Sequence, residues 1–219
     1  MFQNVSKTKK CSYRKGGRKF CYGENSRMNK VEINIDDESW NAIQGFNKWI
    51  KSLDSFFTAS IEQRFKSPQS SCSSKCSEQV IFRRFEDNEY SVSLLLTNDE
   101  AIQKLNKEFR NKDMPTNVLS FPQYEPADIC KIDTIEKQSH ILLGDIAMAK
   151  EQIMRESIRF HLNFFDRCSH LFVHGVLHLL GMDHIEPSDA NEMESLEIEI
   201  LAKFGIENPY ILRGEKDNL

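Results

Sequence analysis

The chain has 219 residues, of which 39% are apolar and 28% charged, with 15 Phe. That is enough for one sizeable domain with a real core, and it excludes wholesale disorder. No run of 18 apolar residues occurs, which excludes a helical membrane span; six scattered Cys argue against a disulfide scaffold and for a reducing, cytoplasmic compartment.

The net charge of −4 is unevenly spread. Residues 1–28 carry eight Lys/Arg and one acid, Glu24, which leaves the body near −11. A polyanion must therefore be met by a local basic patch or by the arm. The arm lacks periodicity and reads as disordered, either an RNA-contacting tail or transit peptide, or an over-called start with initiation at Met28.

Structure begins where Val31, Ile33 and Ile35 alternate with polar residues, a strand pattern. Trp40, Ile43, Phe46, Ile50, Leu53 and Phe57 recur at helical spacing. Ser67 to Ser77 reads as a loop, and its Cys72 and Cys76 as free thiols, since no second pair at zinc spacing follows. Tyr90, Val92, Leu94 and Leu96 predict a second strand. Thr97 with Glu100 forms a capping-box signature, followed by a helix ending near Arg110. Val118 to Phe121 predicts a short strand closed by Pro122, with Phe121 in the core. Residues 123–140 read as a polar loop with Tyr124 open to stacking on unpaired bases. Ile141 to Met148 reads as a buried strand with a special backbone point at Gly144-Asp145.

From Lys150 the pattern is helical. Phe165, Cys168, Phe172, Val176 and Leu179 trace one stripe, and Gly181 is a natural stop. A last helix is predicted from about Asp189, with Glu192 completing a capping box, Met193, Leu196, Ile200 and Phe204 on its buried face, and Gly205 ending it. The mixed order of elements predicts an α+β single domain: a small mixed β-sheet packed with helices, one of them a zincin-like His-bearing helix.

The chemistry concentrates in His174-Gly-Val-Leu-His178-Leu-Leu-Gly181-Met-Asp183-His184. Positions i and i+4 share a helix face, so His174 and His178 project together. Gly181 allows a sharp turn that swings His184 back. Three imidazoles with a fourth position open is the arrangement of a catalytic zinc. Asp183 is placed to orient an imidazole, and Asp145 either orients a ligand or pins a strand end. His140, His161 and His170 read as structural. The spacing equals that of metzincin peptidases, H-E-x-x-H-x-x-G-x-x-H, but those use the Glu after the first His as general base, and Gly175 stands there.

The His stretch also resembles the signature of the YbeY family of ribosomal RNA maturation factors, single-strand-specific endoribonucleases. Leu105-Asn106 and Phe109-Arg110 resemble its L-N-x-x-[FY]-R. Pro115 to Pro122 resembles P-T-D-V-L-S-F-P, Leu143 to Ile146 resembles L-G-D-[IV], and Glu192-Met193, Glu197 and Ile200-Leu201 resemble the closing E-M-x-x-x-E-x-x-[IL]-L. The resemblance spans roughly residues 30–210. It implies His174, His178 and His184 as ligands of one Zn²⁺ per chain and Arg110 as the basic residue of the active cleft.

It further implies action in small-subunit ribosomal RNA 3′-end maturation and ribosome quality control. The partners implied are ribosomal RNA, ribosomal particles, a small-subunit ribosomal protein and a ribosome-assembly GTPase, with no membrane and no DNA. Two residues depart from the pattern. Asn117 stands for Asp and loses a charge; Met182 stands for an aromatic. Arg110 offers a planar fork for phosphate, and Lys104, Lys107 and Lys112 add a basic patch, with Lys112 joining Arg110 at the substrate. The alternatives are a metzincin-like metallopeptidase and a non-catalytic ribosome assembly factor with a structural metal.

Overall fold

Alternating strands become a four-stranded mixed sheet. The computed structural model describes residues 29–66, 88–129, 140–184 and 186–211; the arm at 1–28 and the Ser-rich stretch with Cys72 and Cys76 lie outside the described residues. Strands β1 (Lys30–Ile35), β2 (Glu89–Thr97), β3 (Val118–Pro122) and β4 (His140–Ala149) pair in the order β1-β2-β4-β3. The first three in that order are parallel, and β3 closes one edge antiparallel to β4. Parallel neighbours need crossovers, which the helices supply. They are α1 (Phe46–Ile50), α2 (Leu53–Lys66), α3 (Asp99–Arg110), α4 (Pro126–Ile129), α5 (Lys150–Phe160), α6 (Phe164–Leu179) and α7 (Pro187–Ala202).

Side-chain alternation splits the interior in two. Leu94 and Leu96 of β2 and Ile146 and Met148 of β4 join a large core with α2, α6 and α7. Leu95, Ala147, Ala149 and Leu119 face the other way, onto Ile102 and Leu105 of α3. The special point in β4 is a bulge. Pairing skips from Ser91–Leu142 to Ser93–Asp145, and Gly144 takes φ +143°. A Cβ at Gly144 would sit 2.3 Å from the Phe121 carbonyl oxygen, so only glycine fits between β4 and β3.

Several sequence expectations are corrected. The Trp40-to-Phe57 stripe is not one helix: a 3-10 turn (Glu38–Ala42), α1 and α2 share it, with Gly45 at φ +100° between the first two. Its spacing reflects an aromatic cluster, in which Trp40 stacks on Trp49 at 6.1 Å and touches Phe46 and Phe164. The cap of α3 is Asn98, whose side chain accepts from the Ala101 amide at 3.0 Å. Thr97 instead ends β2 and donates its hydroxyl to Asp36. The polar loop after β3 contains α4, with Ile129 buried; residues 130–139 lie outside the described residues. Helix α7 starts at Pro187 rather than Asp189, Pro being pre-shaped for a first turn, and it has no side-chain cap. Phe204 lies beyond its end, 37% exposed, with its ring on Phe56. Phe121 is half-buried, edge-on to the exposed Phe109 ring.

Candidate metal centre

Helix α6 carries the histidines through the middle of the protein. The Asn163 side chain caps it, accepting from the amides of Phe165 and Asp166 at 2.9 and 3.2 Å. Leu171, Phe172, Val173, Val176 and Leu177 are buried, which fixes the helix against the sheet and its neighbours. At the C-terminal end Gly181 takes φ +79°, and the Gly181 and Met182 amides return to the His178 and Leu177 carbonyls. This reversal brings His184 back over the helix. The ring centroids of His174, His178 and His184 lie 4.6, 5.0 and 5.4 Å apart. One nitrogen from each ring falls within 4.8 Å of the others.

Hydrogen bonds decide which nitrogens face inward. His174 Nδ1 lies 2.8 Å from Glu197 Oε1, and an ionised carboxylate only accepts, so Nδ1 carries the proton. His178 Nδ1 donates to the Met182 carbonyl at 3.0 Å. With both rings neutral, both Nε2 atoms are bare, yet they lie 3.1 Å apart. Two lone pairs opposed at that distance repel unless a proton or a metal ion sits against them, and with His184 as a third donor the set fits a metal ion. Burial lowers the His178 pKa to about 4, with His174 adding to the effect, so that ring is neutral at physiological pH.

Glu197 anchors the arrangement from α7. Its side chain is fully buried, and its second oxygen accepts from His170 Nε2 at 2.8 Å and from the Tyr210 hydroxyl. Burial pushes its carboxyl up, but the bonds from His170 and His174 and their charge outweigh that and bring it to about 2. The carboxylate–imidazole pair is the usual way to orient a ligating histidine. Beside it opens a cleft of about 400 Å³, walled by Asn117, Arg167, His170, His174, Glu194 and Tyr210 among others.

Position 175 bears on the peptidase alternative. A Cβ at Gly175 would meet Ile146 Cδ1 at 3.0 Å and Ser120 Oγ at 3.1 Å. The residue faces the sheet, and a glutamate there has no room unless Ile146 or Ser120 gives way.

The profile of the family described as "Endoribonuclease YbeY" matches residues 59–205. The chain belongs to the endoribonuclease YbeY family. The Endoribonuclease YbeY of Parvibaculum lavamentivorans is 47% identical over 124 residues, covering 57% of this chain and 67% of its own. That of Ruthia magnifica is 40% identical over 132 residues, covering 60% and 85%. That of Francisella philomiragia is 44% identical over 124 residues, covering 55% and 73%. A solution structure from Thermotoga maritima aligns with a TM-score of 0.45 at 20% identity, over 86% of this chain and 93% of that one.

Within this YbeY chain the remaining site residues fall in different places. Arg110 is exposed in the last turn of α3, without an ion pair or hydrogen bond among the described residues, and does not line the cleft. Lys112 is exposed just beyond it. Lys104 and Lys107 are engaged in exposed pairs with Glu100 and Asp113. The Asp183 carboxylate accepts from the adjacent His184 amide at 2.7 Å, and no hydrogen bond from it to an imidazole occurs among the described residues. The orienting role falls to Glu197 for His174 and to the Met182 carbonyl for His178. Because Met182 acts through its backbone, an apolar side chain serves there. Asp145 is exposed on β4 beside the bulge, paired in register with Phe121, and is not part of the cleft.

Sequence reasoning missed Glu197, Arg167 and Tyr210 as site residues. It set His170 apart, although its spacing of four from His174 was a readable signal. No described helix is long and apolar enough to cross a membrane.

Proposed function

We propose that the protein is a zinc-dependent endoribonuclease acting on single-stranded ribosomal RNA within ribosomal particles in the cytoplasm. One observation carries the reading: two bare Nε2 atoms held face to face by outer hydrogen bonds, with a third imidazole folded over them, in a chain of this family. His174, His178 and His184 would hold one Zn²⁺. When bound, such an ion supplies Lewis acidity for a phosphoryl oxygen and lowers the pKa of water.

The chain's own residues do the rest. Glu197 and the Met182 carbonyl keep the rings turned inward. Arg110, unpaired and exposed, offers its fork to a phosphate of the substrate, with Lys112 beside it.

The test is metal content and cleavage of a single-stranded RNA, wild type against His178→Ala. The wild type is expected to hold about one zinc per chain and to cleave; the variant loses both, with a rate drop of at least about 100-fold. Cleavage by His178→Ala at the wild-type rate overturns the reading. A wild type that holds zinc, binds ribosomal particles and turns over no RNA overturns it in favour of an assembly factor with a structural metal.

A further inference from the structure

Behind the metal-facing nitrogens runs a second tier of polar contacts. Arg167 sits in the first turn of α6, nine-tenths buried, on the wall of the cleft. Its Nε and Nη2 donate to Glu156 Oε2 of α5 at 3.1 and 2.7 Å. Its Nη1 lies 2.9 Å from His170 Nδ1. A guanidinium only donates, so His170 Nδ1 must accept, and the neutral ring carries its proton on Nε2. That proton points at Glu197 Oε2, 2.8 Å away, while Glu197 Oε1 takes the proton of His174 Nδ1. The directions agree along the whole chain of contacts.

We infer that Arg167, clamped by Glu156, which Asn117 in turn holds, is a positioning residue of the metal centre: it sets the tautomer of His170, which orients Glu197, which turns the bare Nε2 of His174 inward. The inference rests on the proposed reading of the three histidines as a metal site. Its origin is the Glu156 carboxylate, which Asn117 Nδ2 meets at 2.9 and 3.1 Å and Gln152 at 3.3 Å. Asn117 cannot turn its amide over, because its Oδ1 accepts from the Val118 amide at 2.7 Å. An aspartate at 117 would set a second carboxylate against Glu156. The amide at that position is what lets Glu156 keep both of its bonds to Arg167. The fork of Arg167 is committed to Glu156 and His170, so this buried arginine orients a neighbour rather than gripping a phosphate, unlike the open Arg110.

The experiment uses the full chain, with folding checked by circular dichroism and Tm. Side-chain ¹⁵N shifts report the tautomers of His170 and His174 in the metal-free protein. Competition with a chelator reports zinc affinity. The wild type is expected to show His170 protonated on Nε2 and His174 on Nδ1. Glu156→Gln and Arg167→Lys, which lose the charge or the fork, should mix both tautomers and weaken zinc binding about tenfold. Should Arg167→Lys fail to fold, Glu156→Gln alone decides.

In a Glu197→Gln background, where the relay is already cut, Glu156→Gln should add nothing further; a merely structural role would add its full effect. Asn117→Asp should weaken zinc binding, since it sets a second carboxylate against Glu156. Unchanged tautomers with zinc affinity within about twofold of wild type in Glu156→Gln overturn the inference, and so does full additivity with Glu197→Gln. A wild type that takes no zinc at all sinks the metal reading, whereas the metal-free tautomers still judge the relay.

Discussion

Helices α6 and α3 lie on opposite faces of one sheet and treat polar groups in opposite ways. On α6 the polar side chains Arg167, Ser169 and His170 are buried among apolar neighbours, each with a partner. On α3 only Ile102 and Asn106 are buried, and the charges stand in water. A low-dielectric interior makes every fixed hydrogen bond count, so imidazoles can be locked in one orientation. A solvated face keeps side chains long, mobile and charged. The first environment suits a metal centre; the second suits contact with a polyanion.

Substitutions on the two helices put this contrast to the test. The largest expected effect is at Gly175. Gly175→Glu forces an unpaired carboxylate against Ile146 and Ser120, costing at least about 3 kcal/mol and lowering Tm by roughly 6–12 °C, with no peptidase activity gained. A melt within about 2 °C of wild type would refute the packing argument. On the α3 side, Arg110→Glu should slow RNA cleavage about 100-fold while Tm and zinc content stay put. Single-turnover kinetics check it, and an equal loss of stability would make the residue structural instead.

Glu156 comes next. Burial raises its carboxyl, but the bonds from Arg167 and Asn117 outweigh that and leave it below its ordinary value of 4.5. Its contribution is therefore full above that ordinary value and is lost as pH falls through the lower, folded one. Urea midpoints followed from about pH 5.5 to 3.5 should drop more steeply for wild type than for Glu156→Gln; parallel curves would deny the carboxylate any such role. The smallest effect belongs to Lys104, paired with Glu100 at 2.7 Å but with both side chains largely in water. Lys104→Ala should leave Tm unchanged within about 1 °C, since solvent screens the pair.

The two regions were also unequally legible. The strands showed in the alternation of Val31 to Ile35 and Tyr90 to Leu96, because a half-buried sheet has a period of two. The three ligand candidates showed because four-residue spacing and a glycine turn are local facts. Their partners did not. Glu197 lies 23 residues from His174 along the chain, on a separate helix, and such a contact leaves no periodic trace. Arg167 carries no local signal of its role, since nothing nearby in sequence announces that Glu156 waits on another helix. Asp183 looked like the orienting carboxylate because it adjoins His184, but so short a side chain finds the neighbouring amide first. The break at Gly45 was hidden because aromatic residues converging on one cluster imitate a helical stripe.

That cluster has a practical consequence. The chain's two indoles, Trp40 and Trp49, stack on each other, and Trp49 Nε1 donates to Ser169 on α6 at 3.1 Å. Intrinsic emission therefore watches the N-terminal helices come away from the histidine helix and from the end of β2, where Trp40 Nε1 donates to the Thr97 carbonyl at 3.0 Å, while the body of α3 beyond its cap touches neither indole. A biphasic far-ultraviolet melt with a single-phase fluorescence melt would mean that the α3 side lets go first, on its own.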